Sequence, residues 1–244
     1  MMTMIRAIKR VSGDYTEVTQ YEQPRVRLDS PRTSPRRPTQ RASRTQSSNY
    51  EQNMANNRKL AKKKVRCLIE CNFPERYSFV TLTFKDDVTN LDEANRRFKR
   101  FTERLRYTLK KEHHEPLRYI QVTELHEQRT NVIHFHLVTN FITREDTDLL
   151  KAHWEQEGYL DIGIIESTAD NNACITTYML KKSYDSHLPL KNLYNTSRNL
   201  VKPITEEFET ISEAFDDMEG SVLLNSVEFE VPGQGTMTYS QFYN

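Results

Sequence analysis

The chain has 244 residues, 36% of them hydrophobic and 28% charged, with a net charge of +1 and a mean hydropathy of −0.78. That length suits one catalytic-sized domain with appendages or two small domains, and the polar balance implies a segment outside any packed core. No window of about 18 apolar residues occurs and the start MMTMIRAIKR lacks an apolar leader stretch, so a soluble, cytoplasmic protein is expected.

Around Ser12-Gly13-Asp14 the segments MIRAIKRV and YTEVTQYE alternate and predict an N-terminal β-hairpin over residues 1–23. Residues 24–57 carry Pro31, Pro35 and Pro38 among Ser, Thr, Arg and Gln, with few apolar side chains to offset ordering entropy, and read as a basic, flexible arm. A helix is expected from about Tyr50 to Cys71, with Leu60, Ala61, Val65, Leu68 and Ile69 as its apolar stripe. Its cations Arg58, Lys59, Lys62, Lys63, Lys64 and Arg66 are candidates for phosphate contacts or for plain solvated surface. Tyr77–Phe84, rich in β-branched and aromatic residues, predicts a central strand. Phe98, Phe101, Leu105 and Leu109 mark a helix from Leu91 to about Lys111, capped by Thr89 or Asn90.

After Pro116, Leu117–Glu124 reads as a second strand, joined by the polar link His126–Asn131 to the run Ile133-His134-Phe135-His136-Leu137-Val138. As a strand, that run turns both imidazoles to one face and Phe135 to the other. Two histidines on a rigid element can hold a metal, and Glu124, able to lie across from them in an antiparallel pair, would complete a two-His, one-carboxylate set. Surface histidines alone give the same pattern, and His126, on Glu124's face by alternation, is a rival third ligand; Asp161 and Glu166 are remoter ones.

A helix from about Glu145 to Gln156, a strand over Tyr159–Glu166 and a helix from Asn172 to about Tyr184, capped by Asp170 or Asn171, complete an α+β pattern around an antiparallel sheet. The domain is drawn at 58–203 and an acidic C-terminal segment at 204–244, with a helix near Thr205–Met218 and two short strands around Val231–Gly235. Cys67, Cys71 and Cys174, odd in number and lacking a second metal-site pair, read as reduced packing thiols. The near-neutral total hides a split: thirteen Lys/Arg against two acids between Gln23 and Cys67, and nine acids with no Lys or Arg from Pro203 onward. Such a split suits a nucleic-acid-binding arm and an acidic end that screens it.

Three motifs in order resemble the HUH endonucleases, and among them the single-tyrosine rolling-circle replication initiators of phages and plasmids. Phe79-Val80-Thr81-Leu82-Thr83-Phe84 is similar to the first motif, His134-Phe135-His136 to the His-hydrophobic-His motif, and Tyr178-Met179-Leu180-Lys181 to the Tyr-x-x-Lys motif. Thr196-Ser197-Arg198-Asn199-Leu200, with Lys202-Pro203, looks like a segment of phage-type members. The resemblance spans about Tyr77 to Pro203 and implies an HUH fold of about five antiparallel strands flanked by helices. It also implies Tyr178 as nucleophile, giving a 5′-phosphotyrosyl link and a free 3′-OH on single-stranded origin DNA, with Mg or Mn on His134, His136 and Glu124.

A phenol is a poor nucleophile at neutral pH, so a divalent cation on the phosphate oxygens is the expected help. Lys181 and Lys182, three and four residues beyond Tyr178, can both reach its side of the helix. Tyr184 lies about 240° around the helix and is not expected to share the reaction. Lys182 and Arg198 join the candidate DNA contacts. No G-x-x-x-x-G-K-[ST] run occurs, so a host helicase is the expected partner for opening duplex. A transposase or relaxase of a mobile element would share the metal site, though the order and spacing of the tyrosine disfavour both; a non-catalytic DNA-binding regulator would use only the basic arm.

Overall fold

The computed structural model describes residues 2–28, 50–125, 131–182, 193–233 and 235–244. The chain is α+β, with two five-stranded antiparallel sheets and four helices. It divides into two compact units, one over Arg58–Lys202 and the other formed by Met1–Asn57 with Pro203–Asn244.

In the first unit β3 (Arg76–Phe84), β4 (Tyr119–Leu125), β5 (Ile133–Thr139), β6 (Gly158–Glu166) and the short β7 (Asn195–Thr196) pair in the order β6-β3-β5-β4-β7. All seven residues of β5 are buried, the signature of a strand covered on both faces. One face carries Val80, Leu82, Phe84, Phe135 and Leu137 against Phe98, Phe101 and Leu105 of α2 (Leu91–Lys111) and Leu150 and Trp154 of α3 (Arg144–Trp154). The opposite face carries Tyr77, Ile120, Val122 and Val138 against Ala61, Val65 and Ile69 of α1 (Tyr50–Asn72) and Met179 and Leu180 of α4 (Ala169–Lys182).

Local chemistry sets the helix starts. Asn90 caps α2 by accepting from the Glu93 amide, and Thr143 and Asp146 form a reciprocal capping box on α3. For α4 the cap is Thr168, whose Oγ1 accepts from the Asn171 amide at 3.2 Å, in place of the expected Asp170 or Asn171. Asn172 is instead fully buried and donates to Ser167 Oγ at 3.0 Å. Gly158 opens β6 where a Cβ would stand 1.8 Å from the Thr83 carbonyl oxygen, so only glycine fits.

The second unit holds β1 (Met2–Ser12), β2 (Tyr15–Leu28), β8 (Ile204–Phe208), β9 (Val222–Val231) and β10 (Gly235–Tyr243) in the order β8-β1-β2-β10-β9. The expected hairpin turns at Gly13-Asp14, with Gly13 at φ +60°, but its second strand runs to Leu28. Pro24 is tolerated because it falls in the register shift between the Ile5–Arg25 and Ala7–Gln20 pairs, where a missing amide interrupts no ladder. The helix expected near Thr205–Met218 is not formed: Ile204–Phe208 pairs with β1, Ala7 opposite Phe208, and only Ser212–Phe215 makes a 3-10 turn. Cross-strand pairing overrides the local pattern there. The acidic end thus supplies three of the five strands of this sheet. Among the described residues no helix is long and apolar enough to cross a membrane.

Candidate metal centre and adjoining tyrosine

Register builds the site. Glu124 on β4 lies directly opposite His134 on β5, and Thr83 and Thr81 of β3 lie opposite His134 and His136 on the other side. Period-two alternation therefore turns Glu124, His134, His136, Thr81 and Thr83 to the face carrying α1 and α4. Phe135 points to the other face, where it packs edge-on to Phe84 at 5.7 Å between ring centroids.

His136 Nε2 stands 2.5 Å from Glu124 Oε2 and 3.2 Å from His134 Nε2, and His134 Nε2 is 3.5 Å from the same carboxylate oxygen. One ligand atom from each residue lies within 4.8 Å of the others, and all three residues are buried. Burial pushes the Glu124 carboxyl up, but hydrogen bonds and charge from His134 and His136 outweigh it and hold the group well below the usual carboxylate range. The Thr81 hydroxyl lies 3.1 Å from His136 Nδ1, a contact that orients the ring and leaves Nε2 directed at the carboxylate. Two imidazole nitrogens and one carboxylate, desolvated and converging, fit a divalent cation.

Beside this trio stands Tyr178. On α4, Met179 and Leu180 are fully buried in the core, which leaves Tyr178 and Lys181 on the exposed side of the helix. The Tyr178 ring is 45% exposed and sits edge-on to both His136, at 5.6 Å, and Phe79, at 5.7 Å. Phe79 stacks on His136 at 5.2 Å with 17° between planes. One aromatic thus touches both the ligand and the tyrosine. The sequence motif containing Phe79 and Thr81 was visible, but their contacts with His136 depend on the β3–β5 register and were not.

The remaining candidates divide. Lys59, Lys64 and Arg198 are exposed, and Arg58, Lys62 and Lys63 are half-buried. Arg66 is turned inward: it pairs with Glu70 at 3.6 Å and donates to the Ala169 carbonyl at 3.3 Å, tying α1 to the start of α4 instead of facing solvent. The Thr196–Leu200 segment closes the sheet edge: the Ser197 amide donates to the Tyr119 carbonyl at 3.0 Å, and Ser197 Oγ accepts from the Tyr119 amide at 3.0 Å. Asn72 holds the next residues, accepting from the Val201 amide at 2.8 Å and donating to its carbonyl at 2.9 Å. Of the rival ligands, Glu166 is exposed and pairs with Arg76, and Asp161 is exposed two strands away. His126, Tyr184 and the side chain of Lys182 lie outside the described residues.

Residues 77–183 match the model of the replication-associated protein ORF2 family, a stretch that includes the trio, Tyr178 and Lys181 but under half the chain. Over these residues the chain is similar to replication-associated proteins, which supports a replication-related role. No curated protein matches in sequence. The crystal structure of the hypothetical protein ORF119 from Sulfolobus islandicus rod-shaped virus 1 is similar at 18% identity and a TM-score of 0.34, over 52% of this chain and 97% of that one.

Proposed function

We propose that this protein initiates DNA replication by nicking and rejoining single-stranded DNA, with Tyr178 as nucleophile and Glu124, His134 and His136 holding a divalent cation, Mg or Mn. The observation that carries the reading is the half-exposed Tyr178 ring set edge-on against His136, one member of a buried two-His, one-carboxylate trio. The match to a replication-associated family over the same residues supports it.

The cation, when bound, supplies Lewis-acid polarisation of the non-bridging phosphate oxygens. Tyr178 Oη gives up its proton and attacks phosphorus; the P–Oη bond forms as the P–O3′ bond breaks, and the departing O3′ takes a proton to become a free 3′-OH. The reverse attack by a 3′-OH on the phosphotyrosine rejoins the strand and returns the phenol. Lys181, exposed three residues beyond Tyr178, offers positive charge to the leaving oxygen. Phe79 keeps the Tyr178 and His136 rings in contact, so positioning is built into the sheet. A separate helicase of the host is part of this proposal.

The test is incubation with circular single-stranded DNA and Mn, followed by denaturing gels for DNA-linked protein. An adduct lost in Tyr178→Phe, in His134→Ala and in chelator supports the nuclease. No adduct on any DNA, the source replicon's own included, with binding intact, assigns the chain to the non-catalytic regulators.

A further inference from the structure

The face of the first sheet that carries the trio is covered at one end only. Helices α1 and α4 pack over Tyr77, Ile120, Val122 and Val138, whereas the other end, toward β6, stays open. Its make-up follows from register. Thr83 lies between His134 and Tyr159, Thr81 between His136 and Asp161, and Phe79 between Val138 and Gly163. Tyr159 and Asp161 therefore share the face of the trio, while Leu160 and Ile162 pack into the opposite core.

This open floor has a definite chemistry. Tyr159 is 70% exposed, Asp161 is exposed, and Thr81 and Thr83 are half-buried. At Gly163 an added Cβ would meet nothing within 4 Å, so nothing overhangs the floor there. None of the β3 or β6 positions on this face is Lys or Arg. A floor with an aromatic ring, a carboxylate and two hydroxyls repels phosphate and accepts base edges and base faces. Gly158 fixes where this floor begins, because only glycine lets β6 start against the Thr83 carbonyl with Tyr159 as the next residue. Two strand spacings separate Tyr159 from His134, about 10 Å, so a base on Tyr159 belongs to a nucleotide near the scissile phosphate.

We propose that this open end of the sheet is a base-reading platform for single-stranded DNA, in which Tyr159 stacks a nucleobase and Asp161 accepts a hydrogen bond from a base amino group. It rests on the reading of the trio and Tyr178 as a single-stranded DNA nuclease. Bases turn down onto the sheet and the backbone runs outward, the orientation that keeps phosphates away from Asp161. Tyr159 and Asp161 thereby set which sequence is presented and take no part in bond-making.

The test measures binding of a short, mixed-sequence single-stranded DNA pool in chelator, where no cleavage occurs, for the wild type, Tyr159→Ala, Tyr159→Phe and Asp161→Asn. Tyr159→Ala should weaken binding about tenfold with an unchanged melting temperature, and Tyr159→Phe should retain it within about twofold, since stacking needs the ring and not the hydroxyl. Sequences selected by Asp161→Asn should differ from those selected by the wild type. At saturating DNA with Mn, the rate of adduct formation at Tyr178 should stay within about twofold of wild type in Tyr159→Ala. Wild-type affinity in Tyr159→Ala, or a loss matched by a fallen melting temperature, overturns the platform. If that happens while the wild type still forms the Tyr178 adduct, the nuclease reading stands alone. If Tyr159→Ala weakens binding but no adduct ever forms, the platform stands and the nuclease falls; if the wild type binds no single-stranded DNA, both fall.

Discussion

Both units are built on five antiparallel strands, yet they treat buried polar groups in opposite ways. In the second sheet Glu17 is 2% exposed and takes contacts from Arg10 at 3.2 Å, Tyr15 at 3.3 Å and the Tyr239 hydroxyl, while buried Lys9 pairs with Asp217. Charges there meet opposite charges and hydroxyls within the unit, and the network is a closed structural one. In the first sheet the buried Glu124, His134 and His136 bring electron-pair donors together on one point. Burial by itself therefore says little about function; what distinguishes the site is that its donors converge on a position suited to a cation.

The sheets differ in cover as well. Strand β5 is buried throughout, whereas β9, the outer strand of the second sheet, is exposed at every position but its last. Side chains on β5 have no room to relax, and this rigidity holds the histidines in place.

The comparison breaks most sharply at the carboxylate. Glu124→Gln should abolish Mn-dependent stabilisation, so that the melting temperature rises with Mn in the wild type and not in the variant, while Glu17→Gln should leave the Mn response as it is. Equal loss in both would erase the distinction. Next in size, Phe135→Ala should cost about 3–5 kcal/mol in denaturant unfolding, whereas Val227→Thr on exposed β9 should stay within about 0.5 kcal/mol. A smaller effect is expected at Thr81→Val, which removes the contact to His136 Nδ1 and should weaken Mn binding about tenfold in titration calorimetry with the fold retained.

The smallest effect is alkaline and falls on both units. Burial, then nearby Glu70 and Cys174, pushes the Tyr77 phenol up; burial, then Glu17, does the same for Tyr239. Each stays neutral in the folded chain where the unfolded chain would ionise. Their stabilisation is complete below the ordinary tyrosine range, near pH 10, and is lost as pH rises from there through the raised values. Melting temperatures measured across that range should fall less steeply in Tyr77→Phe and in Tyr239→Phe than in the wild type.

The acidic end changes the meaning of one deletion. Removing Glu206 onward takes away most of β8 and all of β9 and β10, strands that pair with the N-terminal hairpin. Screening of the basic arm is therefore better probed by neutralising exposed Glu228 and Glu230, which leaves the ladder in place.

Much of the first unit was legible in the amino-acid order because its periods are local. Alternation marks His134 and His136 as one face and Phe135 as the other, and the spacing of Phe98, Phe101, Leu105 and Leu109 marks the buried stripe of α2. Arg66 shows the limit: a cation on a helix has no local signal telling solvent from an inward tie to Glu70 and Ala169, since its partners lie on the same turn and on a distant helix. The same holds for Ile204–Phe208, which reads as part of a helix until β1 offers it a ladder. The sequence by itself determined the residue types, the order of elements and the faces of each strand. Only the tertiary structure decided that Glu124 meets His134, that Phe79 bridges His136 and Tyr178, and that Tyr159 shares their face, because strand register is set by long-range pairing, and a slip of one residue would turn every one of these side chains to the other face.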